Sequence, residues 1–240
     1  MTPGMTLTAH QPGYLPWCGL FHKMAMADRF VVFDGVQYEP KGFDNRNRIR
    51  STDGWTWLTV PVLRKGHRNV AIEKIKINEN LPWRRKHWKT ICTTYSRAPH
   101  FGRYAGFLEA TYDRSWDTLV DLNEYLLKWI VEELGLMIPM LRASDLNLEG
   151  AGSARVLDMC LKLGACVYIF GELGRSYADL DAFADAGVEV YFQAYNHPVY
   201  SQIHGGTFVP NLSVIDLLFN HGESSLDIIM SDNLRRLYPN

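Results

Sequence analysis

Several features that would assign the sequence to a large class of proteins are absent. No apolar run approaches the roughly 18 residues that a membrane-spanning helix requires. The four cysteines show no Cys-x-x-Cys spacing and lie in apolar segments, which favours buried free thiols over a metal or redox site at Cys18, Cys92, Cys160 and Cys166. With 25 basic and 26 acidic side chains, the net charge of −1 argues against a dedicated surface for nucleic acid.

Motifs of the common cofactor and nucleophile chemistries are also missing. The sequence has no G-x-x-x-x-G-K phosphate loop, no G-x-G-x-x-G dinucleotide turn, no H-E-x-x-H zinc helix and no G-x-S-x-G serine turn. Metal-site spacing is likewise absent among the histidines, including His67, His87, His197 and His204. We therefore expect chemistry that requires neither a metal nor a resident cofactor.

The composition that remains is that of an ordinary globular protein. Hydrophobic residues make up 47% and charged residues 21% of the 240 residues. A chain of this length can bury roughly 70–75% of its unfolded surface. The residues before Leu7 include no basic side chain, so we expect no secretion signal and a cytoplasmic location. One α/β domain is expected, or two lobes formed by residues 1–145 and 146–240.

The opening stretch, from Thr6 to Asn47, predicts a strand, a loop, a helix and a second strand. An apolar run ends at Ala9, a helical pattern follows a proline-rich turn and reaches about Ala27, and a second apolar run covers Phe30 to Phe33. Such a unit is typical of a parallel, Rossmann-like sheet. The loop after its first strand then lies at the carboxyl edge of the sheet, where ligands bind.

The second half repeats this alternation of helix and strand. Ser153 is expected to cap a helix through Leu163, and the run Ala165–Phe170 is expected to be a buried strand. A short helix and a strand over Val188–Ala194 follow, and then a capped helix over Ser213–Asn220. The predicted fold class is α/β, with a mainly parallel sheet, flanking helices and a helical C-terminal part.

The middle of the chain predicts helices and less regular strands. Apolar and aromatic side chains recur every fourth residue after Pro82, and a second helix is expected from Trp116 to about Leu134. The segment from Val36 to Arg50 is expected to be irregular. Two strands, the second one bulged or at an edge and preceded by a turn at residues 65–68, are expected over Trp55–Val62 and Val70–Ile77.

His10, Gln11 and Asp34 are the candidate catalytic residues. His10 has the side chain in the opening loop that exchanges a proton near neutral pH, and Gln11 beside it donates and accepts hydrogen bonds. Asp34 ends the second predicted strand, where it could orient His10, hold a substrate amine, or stabilise a turn. Tyr14 and Gln37, in the same two connections, are candidate substrate contacts.

The run Asn45-Arg46-Asn47-Arg48 is a candidate site for an anionic group. Guanidinium groups bind phosphate and carboxylate in a bidentate fork, and amides add further donors. We expect this run to share one site with His10. A plain surface loop is the alternative.

A second set of candidate substrate contacts lies in the later part of the chain. If Ala165–Phe170 is a parallel strand beside the first one, the loop Gly171–Tyr177 must open at the edge that carries His10. Two irregular segments supply the candidates, namely Glu172, Arg175 and Tyr177 in this loop and Tyr200, Gln202 and His204 further on.

Six runs of the sequence together resemble the WbqC-like protein family. They extend over nearly the whole chain and read HQPGYLPWCGLFHKMAMAD, FVVFDGVQY, NRNRIR, WLTVPV, GACVYIFGELGRSY and FVPNLSVIDLLFNHG. The resemblance implies a role in a bacterial polysaccharide or natural-product pathway, alongside enzymes of amino-sugar metabolism and of acyl or aminoacyl transfer. It implies no particular reaction.

Three functions remain open. The first is a metal-independent enzyme that transfers an acyl or aminoacyl group to an amine of a sugar or metabolite, with a carrier-protein thioester or a nucleotide-linked compound as donor and His10 as general base. The second is nucleotidyl transfer, because the opening unit resembles the His-x-Gly-His connection of nucleotidylyltransferases, although no second histidine follows His10 at the required spacing. The third is a non-catalytic binding or scaffold protein of a glycan pathway.

Overall fold

A computed structural model describes residues 4–63, 70–235 and 237, and its central element is a five-stranded parallel sheet. The strands of the protein, in chain order, are β1 (Met5–His10), β2 (Arg29–Val32), β3 (Arg46–Ser51), β4 (Gly54–Thr59), β5 (Met140–Arg142), β6 (Ala165–Phe170) and β7 (Glu189–Phe192). The order across the sheet is β5-β2-β1-β6-β7, with every neighbouring pair parallel. From β1 the chain therefore adds β2 and β5 on one side, and it then adds β6 and β7 on the other side.

Helices cover this sheet and extend the C-terminal part, which confirms the predicted α/β class. They are α1 (Cys18–Ala25), α2 (Trp83–Tyr95), α3 (Phe101–Asp113), α4 (Leu119–Glu133), α5 (Gly152–Leu163), α6 (Leu180–Asp185), α7 (Val214–His221) and α8 (Ser225–Met230). In the described parts of the chain, no helix is both long and apolar enough to cross a membrane.

The two faces of the sheet carry separate hydrophobic clusters. In β2, Phe30 and Val32 pack with residues of α1, whereas Val31 between them packs with residues of α5. Because side chains alternate along a strand, α1 and α5 cover opposite faces. A cleft at the carboxyl edge can thus receive side chains from helices on both faces.

The segment Val36–Arg50, predicted to be irregular, contains a strand. β3 pairs antiparallel with β4, from Arg46 opposite Thr59 to Ser51 opposite Gly54. The hairpin is separate from the main sheet. The pattern concealed β3 because arginines alternate with Asn47 and Ile49, so no hydrophobic period of two is visible.

The prediction of a strand over Val70–Ile77 is wrong. Residues Ile72–Lys74 form a short 3-10 turn, and isolated bridges join Ala71 to Gln37 and Ile77 to Val62. The alternation of apolar and polar residues changes phase at Glu73 and Lys74 because the chain forms this turn there, and not because a strand is bulged. The predicted turn at residues 65–68 lies outside the described residues.

The predicted helices after Pro82, from Trp116 and after Ser213 are present as α2, α4 and α7. The cap predicted at Ser153 is wrong, because Ala151 is the N-cap of α5 and the Ser153 hydroxyl accepts a hydrogen bond from the Asp179 amide over 2.9 Å. α3 and α8 are helices that the sequence analysis did not predict.

Candidate functional site

A cleft of about 1110 Å³ opens at the carboxyl edge of the sheet, where β1 and β6 end. The reversal of strand order between these two strands is where open α/β sheets bind their ligands. The volume is slightly above the usual range of about 300–1,000 Å³ for small-molecule sites. The walls come from the ends of β1, β6 and β7, from α1 and α5, and from residues 171–177.

The loop after β1 is held in place by buried amide side chains. Asn123 of α4 donates to the Pro12 carbonyl over 2.6 Å. Asn47 of β3 donates to the Leu15 carbonyl over 2.7 Å. Leu15 has φ of 45°, a left-handed conformation that costs a non-glycine residue roughly 1–3 kcal/mol. The loop therefore presents His10 and Gln11 from a firmly supported backbone.

His10 lines the cleft with a defined tautomer. Its Nδ1 lies 2.8 Å from the Gln11 carbonyl oxygen, and because that oxygen can only accept, Nδ1 carries the hydrogen and Nε2 keeps its lone pair. Withdrawal from bulk water and the nearby Lys23 ammonium lower the pKa of His10 below 6.5. His10 remains exposed to the cleft, and because its pKa lies below 6.5 the ring is mainly neutral at pH 7.

Lys23 of α1 is a cleft residue that the sequence analysis missed. It is only 3% exposed, and its Nζ donates to the Ala9 carbonyl over 2.9 Å. Burial lowers the pKa of Lys23 to about 7. A signal was available, because Lys23 follows Leu20 by three residues and therefore lies on the apolar face of its own helix.

Two further polar residues of the cleft were also missed. Gln193, after β7, donates from Nε2 to the Gly19 carbonyl over 2.8 Å and so ties that strand to α1. Arg155, in the first turns of α5, donates to the carbonyls of Gly150 and Gly35 over 3.0 and 3.5 Å. Arg155 lies near the start of a helix and Gln193 follows the end of a strand, and in the sequence both resemble ordinary surface residues.

The Gly171–Tyr177 loop lies at the same edge as His10, as the topology predicted. Glu172 and Tyr177 line the cleft, but Arg175 does not. The Nε of Arg175 instead donates to Glu172 over 2.9 Å, and its guanidinium lies 4.5 Å from the centre of the Phe192 ring. A role for these residues in binding stays a prediction.

Asp34 is fully buried and stabilises a turn. Its carboxylate accepts hydrogen bonds from the Ser144 amide over 2.9 Å and the Ser144 hydroxyl over 2.8 Å. This contact joins the end of β2 to the turn after β5. Of the three roles considered for Asp34, the structure thus shows stabilisation of a turn. Gln37, by contrast, lines the cleft.

Tyr14 lies in the interior rather than in the cleft. It is 0% exposed, and its hydroxyl contacts the Tyr112 hydroxyl and, over 2.9 Å, Nδ1 of His87. Desolvation raises the pKa of Tyr14 well above its ordinary value. The expected substrate contact is therefore replaced by a buried hydrogen-bonded cluster between the opening loop, α2 and α3.

The Asn45–Arg48 run does not line the cleft, so the expected single site with His10 is wrong. Asn45 donates to the Val60 carbonyl over 2.8 Å, and Arg48 donates to the Asn211 carbonyl over 3.1 Å. Arg46 donates to carbonyls of residues 41 and 42. These side-chain N–H groups, which we expected to bind a ligand, thus donate hydrogen bonds to main-chain carbonyls of the protein itself.

The two arginines of this run also stack on the neighbouring strand. The Arg46 guanidinium lies 4.3 Å from the Trp57 ring centre, and that of Arg48 lies 5.1 Å from the Trp55 ring centre. These cation–π contacts belong to the hairpin of β3 and β4.

Tyr200, Gln202 and His204 likewise lie outside the cleft. Tyr200 and Gln202 donate to Oδ2 of Asp216 over 3.0 and 2.9 Å. His204 has φ of 77° and lies in an exposed turn. The long segment that carries these residues is attached to α7 and does not reach the cleft at these positions. In the described parts of the chain, no three His, Cys, Asp or Glu side chains form a cluster that could hold a metal.

Comparisons with known proteins agree with the extent of the sequence resemblance. A sequence model of the WbqC-like protein family matches residues 11–228. The Uncharacterized protein Rv1507c of Mycobacterium tuberculosis is 34% identical over 221 residues, which cover 91% of this chain and 95% of that protein. No solved structure matches the chain.

Proposed function

This chain belongs to the WbqC-like protein family, and we propose that it is an enzyme that transfers an acyl or aminoacyl group to an amine. The acceptor is an amino sugar or a specialised metabolite of a bacterial polysaccharide or natural-product pathway, in keeping with what the family resemblance implies. The donor is a carrier-protein thioester or a nucleotide-linked acyl group. An acyl carrier protein is then a partner.

The observation that carries the proposal is the state of His10. A neutral imidazole with an unprotonated Nε2 lines an open cleft at the reversal of strand order. In the reaction, the amine nitrogen attacks the acyl carbonyl, and Nε2 takes the proton that this nitrogen loses as the C–N bond forms. The bond from the acyl carbon to the sulfur or oxygen of the donor then breaks, and the imidazolium returns the proton to that leaving atom. General base catalysis of this kind typically contributes 10²–10⁴-fold.

The test is amide formation by the purified protein. Native mass spectrometry first identifies any retained ligand, and glycyl and acetyl thioesters of coenzyme A are then incubated with glucosamine. We expect an amide product whose rate of formation falls about 100-fold or more in His10→Asn. His100→Asn is the matched control, because His100 lies outside the cleft. Equal rates in wild type and His10→Asn would contradict the proposed base.

Nucleotidyl transfer is the second candidate. It is supported by the histidine at the carboxyl end of the central strand of a parallel sheet, the position of the phosphate-binding histidines in nucleotidylyltransferases. Exchange of labelled pyrophosphate into ATP separates the two candidates, because acyl transfer from a thioester produces no such exchange. A protein that forms no amide, exchanges no pyrophosphate and still binds a pathway enzyme after loss of His10 would be a scaffold.

A further inference from the structure

Lys23 is a buried cation without a carboxylate partner. Its Nζ donates one hydrogen bond, to the Ala9 carbonyl, and no carboxylate in the described parts of the chain is paired with it. An ammonium group has three N–H donors, so two remain for another partner. Burial of an unpaired charge destabilises the folded protein, so folding alone does not explain a lysine at this position.

The cleft around Lys23 carries an excess of positive charge. Its charged lining residues are Lys23, Arg155 and Glu172, with His10 neutral beside them. Glu172 accepts a hydrogen bond from Arg175, whereas Arg155 is bonded to main-chain carbonyls. The described residues therefore leave two cleft cations, one from each face of the sheet, without an acidic partner.

We propose that Lys23 is the anchor of an oxyanion-binding site and that the ligand of this cleft carries a phosphate or carboxylate group that pairs with its ammonium. An ammonium group is a point charge and suits either group, because it does not require the forked geometry that favours arginine. Arg155 lies across the sheet edge and adds to the attraction at longer range.

The position of the anchor indicates where the anion lies. Lys23 contacts the carbonyl of Ala9, the residue that precedes His10, so the anion binds beside the imidazole. The inference rests on the proposed transfer reaction in naming the substrate class, but binding of an anion requires no turnover. The two proposals can therefore fail separately.

Isothermal titration at pH 7 and low ionic strength tests the anchor directly. The probes are inorganic phosphate and pyrophosphate in one arm and acetate and malonate in the other, which distinguishes the two sources of oxyanion. We expect wild type to bind at least one probe and Lys23→Met to weaken that binding by roughly tenfold or more. Lys89→Met, which removes an exposed lysine outside the cleft, should bind as wild type does.

Stability of the ligand-free variants separates an anchor from a structural residue. Replacing an unpaired buried charge by an apolar side chain should leave the unfolding temperature of Lys23→Met equal or higher. Lys23→Gln keeps a donor for the Ala9 carbonyl and serves as the second variant. A wild type that binds no probe, or Lys23 variants that bind as tightly as wild type, would overturn the proposal.

A measurement on the wild type completes the test if the variants do not fold. Binding heats in two buffers of different ionisation enthalpy report the protons taken up with the anion. An anion beside Lys23 should bring proton uptake at pH 7.5, because it favours the charged amine. The measurement is repeated up to pH 10, and binding without proton uptake at every pH would assign the anion to another place.

Discussion

The hydroxyl of Tyr95 donates a hydrogen bond to Oδ1 of Asp216 over 2.8 Å, and this contact joins α2 to α7 in the protein interior. The other carboxylate oxygen accepts from Tyr200 and Gln202. Burial raises the pKa of Asp216 above its ordinary value, although the hydrogen bonds oppose that shift. Asp216 is therefore one of the points at which the long segment after β7 is attached to the helices.

Loss of this attachment should destabilise the fold. Asp216→Ala leaves the hydroxyls of Tyr95 and Tyr200 without their acceptor, and we expect a loss of about 2–4 kcal/mol in the free energy of unfolding, measured with urea. Asp227→Ala is the control, because Asp227 is exposed in the first turn of α8. Similar values for the two variants would show that the buried network contributes little.

The pH dependence of stability should report the buried amine of Lys23. Burial lowers its pKa from 10.5 in the unfolded chain to about 7 in the folded protein, so between these values the unfolded state binds the additional proton. Stability must then rise with pH, with a slope of up to about 1.4 kcal/mol per pH unit. Other groups titrate in this range, but they are common to wild type and Lys23→Met.

The difference between wild type and Lys23→Met isolates the lysine. We expect wild type to gain stability relative to the variant as urea unfolding is repeated from pH 7.0 to 9.5. Parallel curves over this range would mean that the amine of Lys23 titrates normally.

Two glycines of the cleft loop should respond differently to the same substitution. A Cβ on Gly174 would lie 2.6 Å from Cβ of Phe170, so Gly174→Ala should cost about 1–3 kcal/mol and displace the loop. A Cβ on Gly171 meets nothing within 4 Å, and the φ of −71° suits alanine. Thermal unfolding of both variants should separate them by several degrees; equal unfolding temperatures would contradict the close packing on Phe170.

Arg48 should contribute to stability rather than to binding in the cleft. Arg48→Lys loses the hydrogen bond to Asn211 and the stacking on Trp55, and we expect a loss of about 1 kcal/mol in unfolding free energy. The anion affinity of the cleft should be unchanged. An affinity loss greater than that of Lys89→Ala would restore the Asn45–Arg48 run as a binding site.

His10 should be dispensable for folding. Its ring is exposed to the cleft and bonds only a neighbouring carbonyl among the described residues, so His10→Ala should change the free energy of unfolding by no more than about 0.5 kcal/mol. Chemical denaturation measures this change. An unfolded His10→Ala protein would make the residue structural.

Four of the five strands of the sheet, β1, β2, β6 and β7, could be predicted from the sequence because they are short apolar runs between clear breaks. The edge strand β5 was not predicted. Ala165–Phe170 is β6 to the residue, and the loop after it was placed at the edge of His10 by topology alone. The hairpin strand β3 and the turn at Ile72–Lys74 were not predicted, because neither shows a hydrophobic period.

The site was predicted less well because sequence identifies polar side chains and not their partners. Asn45 and Arg48 have the donors of an anion site, but carbonyls of Val60 and Asn211, distant in the chain, accept from them. Lys23 is the opposite case, because its proposed role rests on the absence of a carboxylate partner among the described residues.

The strand order has a consequence for synthesis on the ribosome. β1 lies in the middle of the sheet, yet its neighbour β6 begins only at Ala165. At roughly 5–20 residues per second, translation leaves one edge of β1 unpaired for about 8–32 seconds. During that time the nascent chain has no second wall for its cleft. His10 is thus among the earliest residues to be synthesised and among the last to acquire its final surroundings.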